Sequence, residues 1–392
     1  MSTAYDPARE ANSAGIALQQ GRFDEAAAGF ARVCAHPGAD ARAFFGLAYA
    51  RRGLDDWPGA LAAIDEVLRR EPRNIPALIF RGDGFVALGD LRAGASFYQS
   101  ALKLADGASN LPAALIADLR RVEQACLDIS ARFAAHLNEG LAARGVTPGQ
   151  TSARFAHALG TLLGETRAYR QQPRYFYYPG LADIGFYPRE TLPCLDAIEA
   201  AFPAIREELS ALMRAEAAFA PYVETRADRP NTGQAGMAGN DDWSALYLVR
   251  DGHEIEQTAR TCPATMAALE EMPLTRIEDR TPSVLFSRLK GGARIPPHTG
   301  LMNTRLICHL PLIVPEGCAF RVGHETRPWR EGVAWGFDDT IEHEAWNDST
   351  HDRVILIFDV WKPEIGQQER AELTALFETI NDFGGGARPW DA

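Results

Sequence analysis

Two hydrophobic periodicities divide the 392-residue chain. Over the first hundred residues, Ala-, Leu- and Arg-rich segments carry apolar side chains at the spacing of one helix face, which predicts paired amphipathic helices. Helical patterning continues over residues 111–168. It reads LPAALIADLRRVEQACLDISARFAAHL, a Gly-Val-Thr-Pro-Gly break, then ARFAHALGTLLGE, a capping helix and a connector. From Pro173 the texture becomes aromatic and turn-rich in PRYFYYPGLADIGFYP, followed by one more helix, LDAIEAAFPAIREELSALM. Beyond about residue 240 come short β-branched or aromatic runs: SALYLV, SVLFSRL, TRLICHLPLIV, CAFRVG, GVAWGF and RVILIFDVW. Gly, Pro, Asp and Asn separate them, which predicts a β-sandwich or barrel. A helix, QQERAELTALFETIN, and a Gly-rich tail complete the pattern.

The helical region repeats with a period of 34: Ala26, Ala60 and Gly94 are small, Phe30, Ile64 and Tyr98 are large and apolar, and Val33, Val67 and Ala101 follow at the same interval. Small residues at fixed positions let paired helices approach closely, and the large ones fill the space between them. Gly46 with Tyr49, and Gly82 with Phe85, mark the first helix of the second and third units, and Pro72 ends a repeat. This region resembles a tetratricopeptide array of about three repeats over roughly residues 8–107. The expected organisation is therefore repeats over 1–110, a helical cap and connector over 111–170, and a β-rich domain over 171–392.

Composition narrows the partners. Apolar residues make up 46% and charged residues 23%, enough for a large core. The formal charge of −12, with no compensating basic patch, repels phosphate backbones and argues against nucleic acid. No apolar run approaches the ~18 residues that cross a bilayer. The N-terminal MSTAYDPAREANSAG has neither half of a secretory signal. Six singly scattered cysteines fit reduced thiols, so a soluble, cytoplasmic protein is expected.

Five of the nine histidines fall between 298 and 351. His298 follows the turn-like GGARIPP, and His343 lies in FDDTIEHEAWN. Two imidazoles from separate strands can hold a first-row divalent metal. Non-haem iron oxygenases add a carboxylate two residues after the first His, but that position here is Gly300. Asp338, Asp339 and Glu342 are alternative ligands, with orientation of His343 through its second nitrogen the favoured role. Arg353 enters an apolar strand, which is costly unless it meets an anion, and its planar fork suits a carboxylate. Ser287 could give a hydroxyl to the same carboxylate. Arg305 and His309 stand at i and i+4 of one strand and so share a face, with Ile307 between them.

The run from Ser287 to Pro363 resembles the aspartyl/asparaginyl β-hydroxylase family, in its bacterial branch. The matching segments are SRLKGGARIPPHTGLMNTRLICHLPLIVPEGCAFRVG, ETRPWREGVAWGFDDTIEHEAWNDS and RVILIFDVWKP, with weaker similarity back through NDDWSALYL and YFYYPGL. The resemblance implies a double-stranded β-helix, or jelly roll, using Fe(II), 2-oxoglutarate and O2. The family has His-x-Gly where related oxygenases have His-x-Asp, and His298-Thr299-Gly300 matches that substitution. Carried across by motif, His298 and His343 ligate iron. Arg353 and Ser287 bind the distal carboxylate of 2-oxoglutarate, His309 lies close to that co-substrate, and Arg305 faces the substrate. Animal members carry basic residues at the positions of Leu285 and Ile307. The expected activity is hydroxylation of a C–H bond in an aspartyl/asparaginyl-type residue of a peptide or protein presented by the repeats. The alternatives are the same chemistry on a small molecule, lipid or free amino acid, a zinc or manganese site of other chemistry, or a repeat-based scaffold carrying a degenerate oxygenase.

Overall fold

The computed structural model describes residues 6–147, 149–223 and 239–383. The Gly-rich tail read from the sequence lies outside the described residues. The chain forms two compact units, Met1–Leu163 and Gly164–Ala392.

The first unit is a tetratricopeptide-type helical array. Its helices are α1 (Pro7–Gln19), α2 (Phe23–Cys34), α3 (Ala41–Gly53), α4 (Trp57–Arg70), α5 (Ile75–Ala87), α6 (Leu91–Asp106), α7 (Ala113–Ala142) and α8 (Ala153–Leu163). Side-chain caps start them at the repeat interval: Asp56 accepts from the Gly59 N–H at 2.9 Å and Asp90 from Ala93 at 2.9 Å. Pro72 stands just past the end of α4. The 34-residue register places Ala26, Ala60 and Gly94 in the second helix of each pair, with Phe30, Ile64 and Tyr98 buried one turn on. A Cβ at Gly46 would run into the Phe30 ring, and one at Gly82 into Tyr98. Glycine there is thus a packing requirement. Leu119 and Val122 bury the start of α7 with α6.

The second unit begins with two helices, α9 (Leu195–Ala200) and α10 (Phe202–Arg214). Strands β1 (Ala220–Pro221), β2 (Trp243–Arg250) and β3 (His253–Glu254) follow, then α11 (Glu256–Ala259) and α12 (Pro263–Glu270). The remaining strands are β4 (Val284–Leu289), β5 (Arg294–His298), β6 (Arg305–Ile313), β7 (Cys318–Val322), β8 (Glu325–Pro328), β9 (Trp335–Phe337), β10 (His343–Asn347) and β11 (Arg353–Trp361), with α13 (Gln367–Phe383) last. All paired strands are antiparallel. The large sheet runs β1-β2-β4-β11-β6-β9, with β3 beside β2, and the small sheet runs β5-β10-β7-β8. From β4 onward the chain passes back and forth between the sheets, the path of a jelly roll.

Strand alternation divides the apolar residues between two cores. On β11, Val354, Leu356, Phe358 and Val360 face the core shared with α9, α10 and α12. Ile355 faces the opposite way, with Leu289, Ile295, Phe320, Val322, Phe337 and Ala345 between the two sheets. The polar residues at odd positions of β4, β6 and β11 share that inter-sheet face, and the site lies there.

Candidate active site

His298 ends β5 and His343 opens β10, and the register sets the two directly opposite. Their ring centroids are 4.1 Å apart. Each ring is fixed through Nδ1 against a carbonyl two residues earlier, His298 to Pro296 at 2.8 Å and His343 to Ile341 at 3.0 Å. If Nδ1 carries the proton, Nε2 of each ring is left with a lone pair, the state a metal ligand needs. Burial lowers the pKa of both, and His298 reinforces the effect on His343. Both therefore stay neutral at physiological pH.

The carboxylates preceding His343 do not hold it. Asp338 accepts from Lys362 Nζ at 2.6 Å and Gln171 Nε2 at 2.8 Å, while Thr340 donates to it through both N–H and hydroxyl. Glu342 pairs with Arg167 and Arg321. Neither performs the role read from the sequence, because the Ile341 carbonyl already occupies the second nitrogen of His343. Asp339 does something else. A Cβ at Gly300 would land on its carboxylate, so Asp339 fills the space of a side chain at position 300. The Gly300 N–H donates to the Asp339 carbonyl at 2.6 Å, tying the two loops together. Burial raises the Asp339 carboxyl to about 6. Among the described residues no cluster of three or more His, Cys, Asp or Glu has metal-ligand spacing.

A second polar group lies in the same core. Arg353, at the start of β11, is 1% exposed, and its Nε and Nη1 have no hydrogen-bond partner among the described residues. Burial with no ionised carboxylate beside it draws its guanidinium down to about 10. An unmatched buried guanidinium is expensive, so the pocket is built for an anion. His309 also has an unpartnered Nδ1, and burial plus the nearby Arg353 charge keeps its imidazole neutral. Trp329 stacks beneath Arg353, ring centre to Cζ 4.7 Å, and its indole N–H is unpartnered too. Ser287 accepts a hydrogen bond from Trp243 Nε1 at 3.1 Å, which leaves its own proton free to donate.

The two groups are joined by aromatic contacts. Phe320 lies 5.1 Å from His309 and 5.8 Å from His343, centroid to centroid, and Phe337 lies 4.9 and 5.2 Å from the same rings. Arg305 shares the face of His309 but stands four residues earlier, at the start of β6, between Asp339 and Asp359. All six residues singled out in the sequence thus border the inter-sheet core. Sequence reasoning passed over Asp359, Trp243 and Trp329. A carboxylate at the sixth position after Arg353, inside an otherwise apolar strand, was the signal available for Asp359.

Residues 199–363 match the aspartyl/asparaginyl β-hydroxylase family. The mouse aspartyl/asparaginyl β-hydroxylase is 36% identical over 193 residues, covering 48% of this chain and 24% of the relative. The ornithine lipid ester-linked acyl 2-hydroxylase of Rhizobium tropici is 34% identical over 190 residues, 47% of this chain and 63% of the relative. The chain thus spans about a quarter of the first and under two thirds of the second. Among solved structures, PcrH in complex with the chaperone-binding region of PopB aligns with TM-score 0.28 and 24% identity, over 30% of this chain and 93% of that one. The repeat assignment stands on the helix pairs themselves. The segment that matches the aspartyl/asparaginyl β-hydroxylase family, residues 199–363, is the one that holds the paired imidazoles and the buried guanidinium.

Proposed function

We propose that the C-terminal unit is an Fe(II)- and 2-oxoglutarate-dependent hydroxylase acting on an aspartyl- or asparaginyl-type residue of a peptide or protein. The observation that carries this reading is the pairing of two neutral, carbonyl-anchored imidazoles with a buried guanidinium that has no counter-ion. These fit the two groups the family implies. Nε2 of His298 and His343 would hold the metal, and Arg353, Ser287 and His309 would hold the dianionic co-substrate. When Fe(II), 2-oxoglutarate and O2 are bound, they supply oxidative decarboxylation to succinate and CO2 coupled to hydroxylation of a C–H bond.

The protein's own part is placement and dryness. Arg353 binds a carboxylate as a charge-assisted fork, Ser287 adds a hydroxyl donor, and Trp243 fixes that hydroxyl by occupying its acceptor side. Phe320, Phe337 and Trp329 exclude water around His309, which strengthens every polar contact there. The Asp339 carboxylate beside Gly300 offers an acceptor for a water or a substrate donor next to the imidazole pair. Support for hydroxylase chemistry comes from the named activities of the relatives. The repeats support a peptide or protein partner, since stacked helix pairs expose one continuous surface.

Succinate release from 2-oxoglutarate tests this reading. The full chain with Fe(II) should form succinate, and Arg353→Met should lower the rate at least ~100-fold, the scale of losing charge-assisted hydrogen bonds. Equal rates in the two proteins, or no succinate from the wild type, would refute it and favour a scaffold built on the repeats.

A further inference from the structure

Arg305 opens β6 inside the site and is only 9% exposed. Its Nη2 lies 3.8 Å from Asp339 Oδ2 and its Nη1 3.8 Å from Asp359 Oδ2. Both separations are too long for hydrogen bonds. Arg305 Nε, Asp339 Oδ1 and Asp359 Oδ2 are buried without hydrogen-bond partners among the described residues. An unmet donor on the guanidinium and an unmet acceptor on each flanking carboxylate mark a place prepared for a polar group that both donates and accepts.

The charge of that place is fixed by its composition. One guanidinium shared by two carboxylates gives a net charge of zero or minus one, depending on whether one carboxyl keeps a proton. With at least one of the carboxyls ionised it is not positive. Asp359 is held by the Ser283 N–H, which donates to Oδ1 at 2.8 Å and leaves Oδ2 on the Arg305 side. The flanking inward positions are apolar: Leu285 on β4, Ile307 on β6 and Ile357 on β11. The other cation acting on Asp339 is Lys362, but it is buried against the Asp338 carboxylate at 2.6 Å, a pair that adds no net charge to the cluster.

We propose that Asp359 is a specificity-determining residue: it cancels the Arg305 cation, so the pocket admits an uncharged carboxamide and excludes a carboxylate. The carboxamide N–H₂ donates to Asp359 Oδ2, and its carbonyl accepts from Arg305. A carboxylate in the same place faces two acidic groups across a low-dielectric gap, where like charges repel strongly. The proposal rests on the hydroxylase reading and narrows its substrate.

The test uses two peptide libraries with identical randomised flanks, one centred on Asn and one on Asp, incubated with the full chain, Fe(II), 2-oxoglutarate and O2. Gain of one oxygen is read by mass spectrometry. Binding is read separately by anaerobic calorimetry with Fe(II) and 2-oxoglutarate present. The wild type should favour the Asn library by about tenfold or more in both readouts. Asp359→Asn keeps an acceptor for Ser283 and should retain its melting temperature, while its preference narrows to within about threefold as Asp peptides gain. Equal or better use of the Asp library by the wild type overturns the proposal, as does a preference unmoved by Asp359→Asn or reaction with neither library. Loss of the Fe(II)–2-oxoglutarate absorption band would instead remove the reading beneath it, so the two failures are distinguishable.

Discussion

Gly300 and Asp339 occupy one volume, and each explains the other. Substituting Gly300 by Ala forces a methyl group onto the Asp339 carboxylate, so G300A should destabilise the protein by about 1–3 kcal/mol. Asp339→Gly should relieve much of that loss, giving a coupling energy measurable by a double-mutant cycle in urea. Additive effects would show that the two groups do not touch. The raised Asp339 carboxyl carries a pH signature as well. A carboxyl near 6 when folded and 3.8 when unfolded holds its proton more tightly in the folded protein. Its contribution is therefore fully present below about pH 4 and lost as pH rises to about 6, a change of about 3 kcal/mol in metal-free protein. Asp339→Asn should abolish that slope in a pH series of urea titrations. Arg353 stood out in the sequence because a cation inside an apolar run is costly without an anion, whereas His298 and His343 were singled out by the resemblance of the segments around them, His298-Thr299-Gly300 above all. The placement of Asp339 was not legible, since it depends on the β9–β10 loop folding back on the residues after β5.

At the scale of elements, legibility followed period. The 34-residue spacing located the second helix of every pair, because the small residues that set it are demanded by close packing. Gly82→Leu should therefore destabilise the repeat unit by several kcal/mol, roughly the upper range of overpacking, through collision with Tyr98. Urea unfolding of the isolated 1–163 unit would measure it, and a shift under about 0.5 kcal/mol, the range of surface substitutions, would contradict the packing. In the β-domain, alternation placed Arg305 and His309 on one face. Strand order was not readable, because from β4 onward the strands other than β7 and β8 leave their chain neighbours for the opposite sheet. The facing of His298 and His343 is a product of that crossing and the β5–β10 register, not of local sequence.

At the scale of the whole molecule, Arg353 stands out among the described residues as a fully buried cation with unpartnered donors, which points to a ligand. Among the described residues no helix is long and apolar enough to cross a membrane. The family match lies within the second unit, while the repeats lie outside its matched span and carry the partner question. The most direct measurement is an anaerobic titration of the full chain with Fe(II) and 2-oxoglutarate, followed by visible absorption. A metal-to-ligand charge-transfer band should appear with the wild type, vanish in His298→Ala and His343→Ala, and require at least ~100-fold more 2-oxoglutarate in Arg353→Met. A wild type that gives no band, or histidine variants that give the same band, would contradict a metal held by this imidazole pair.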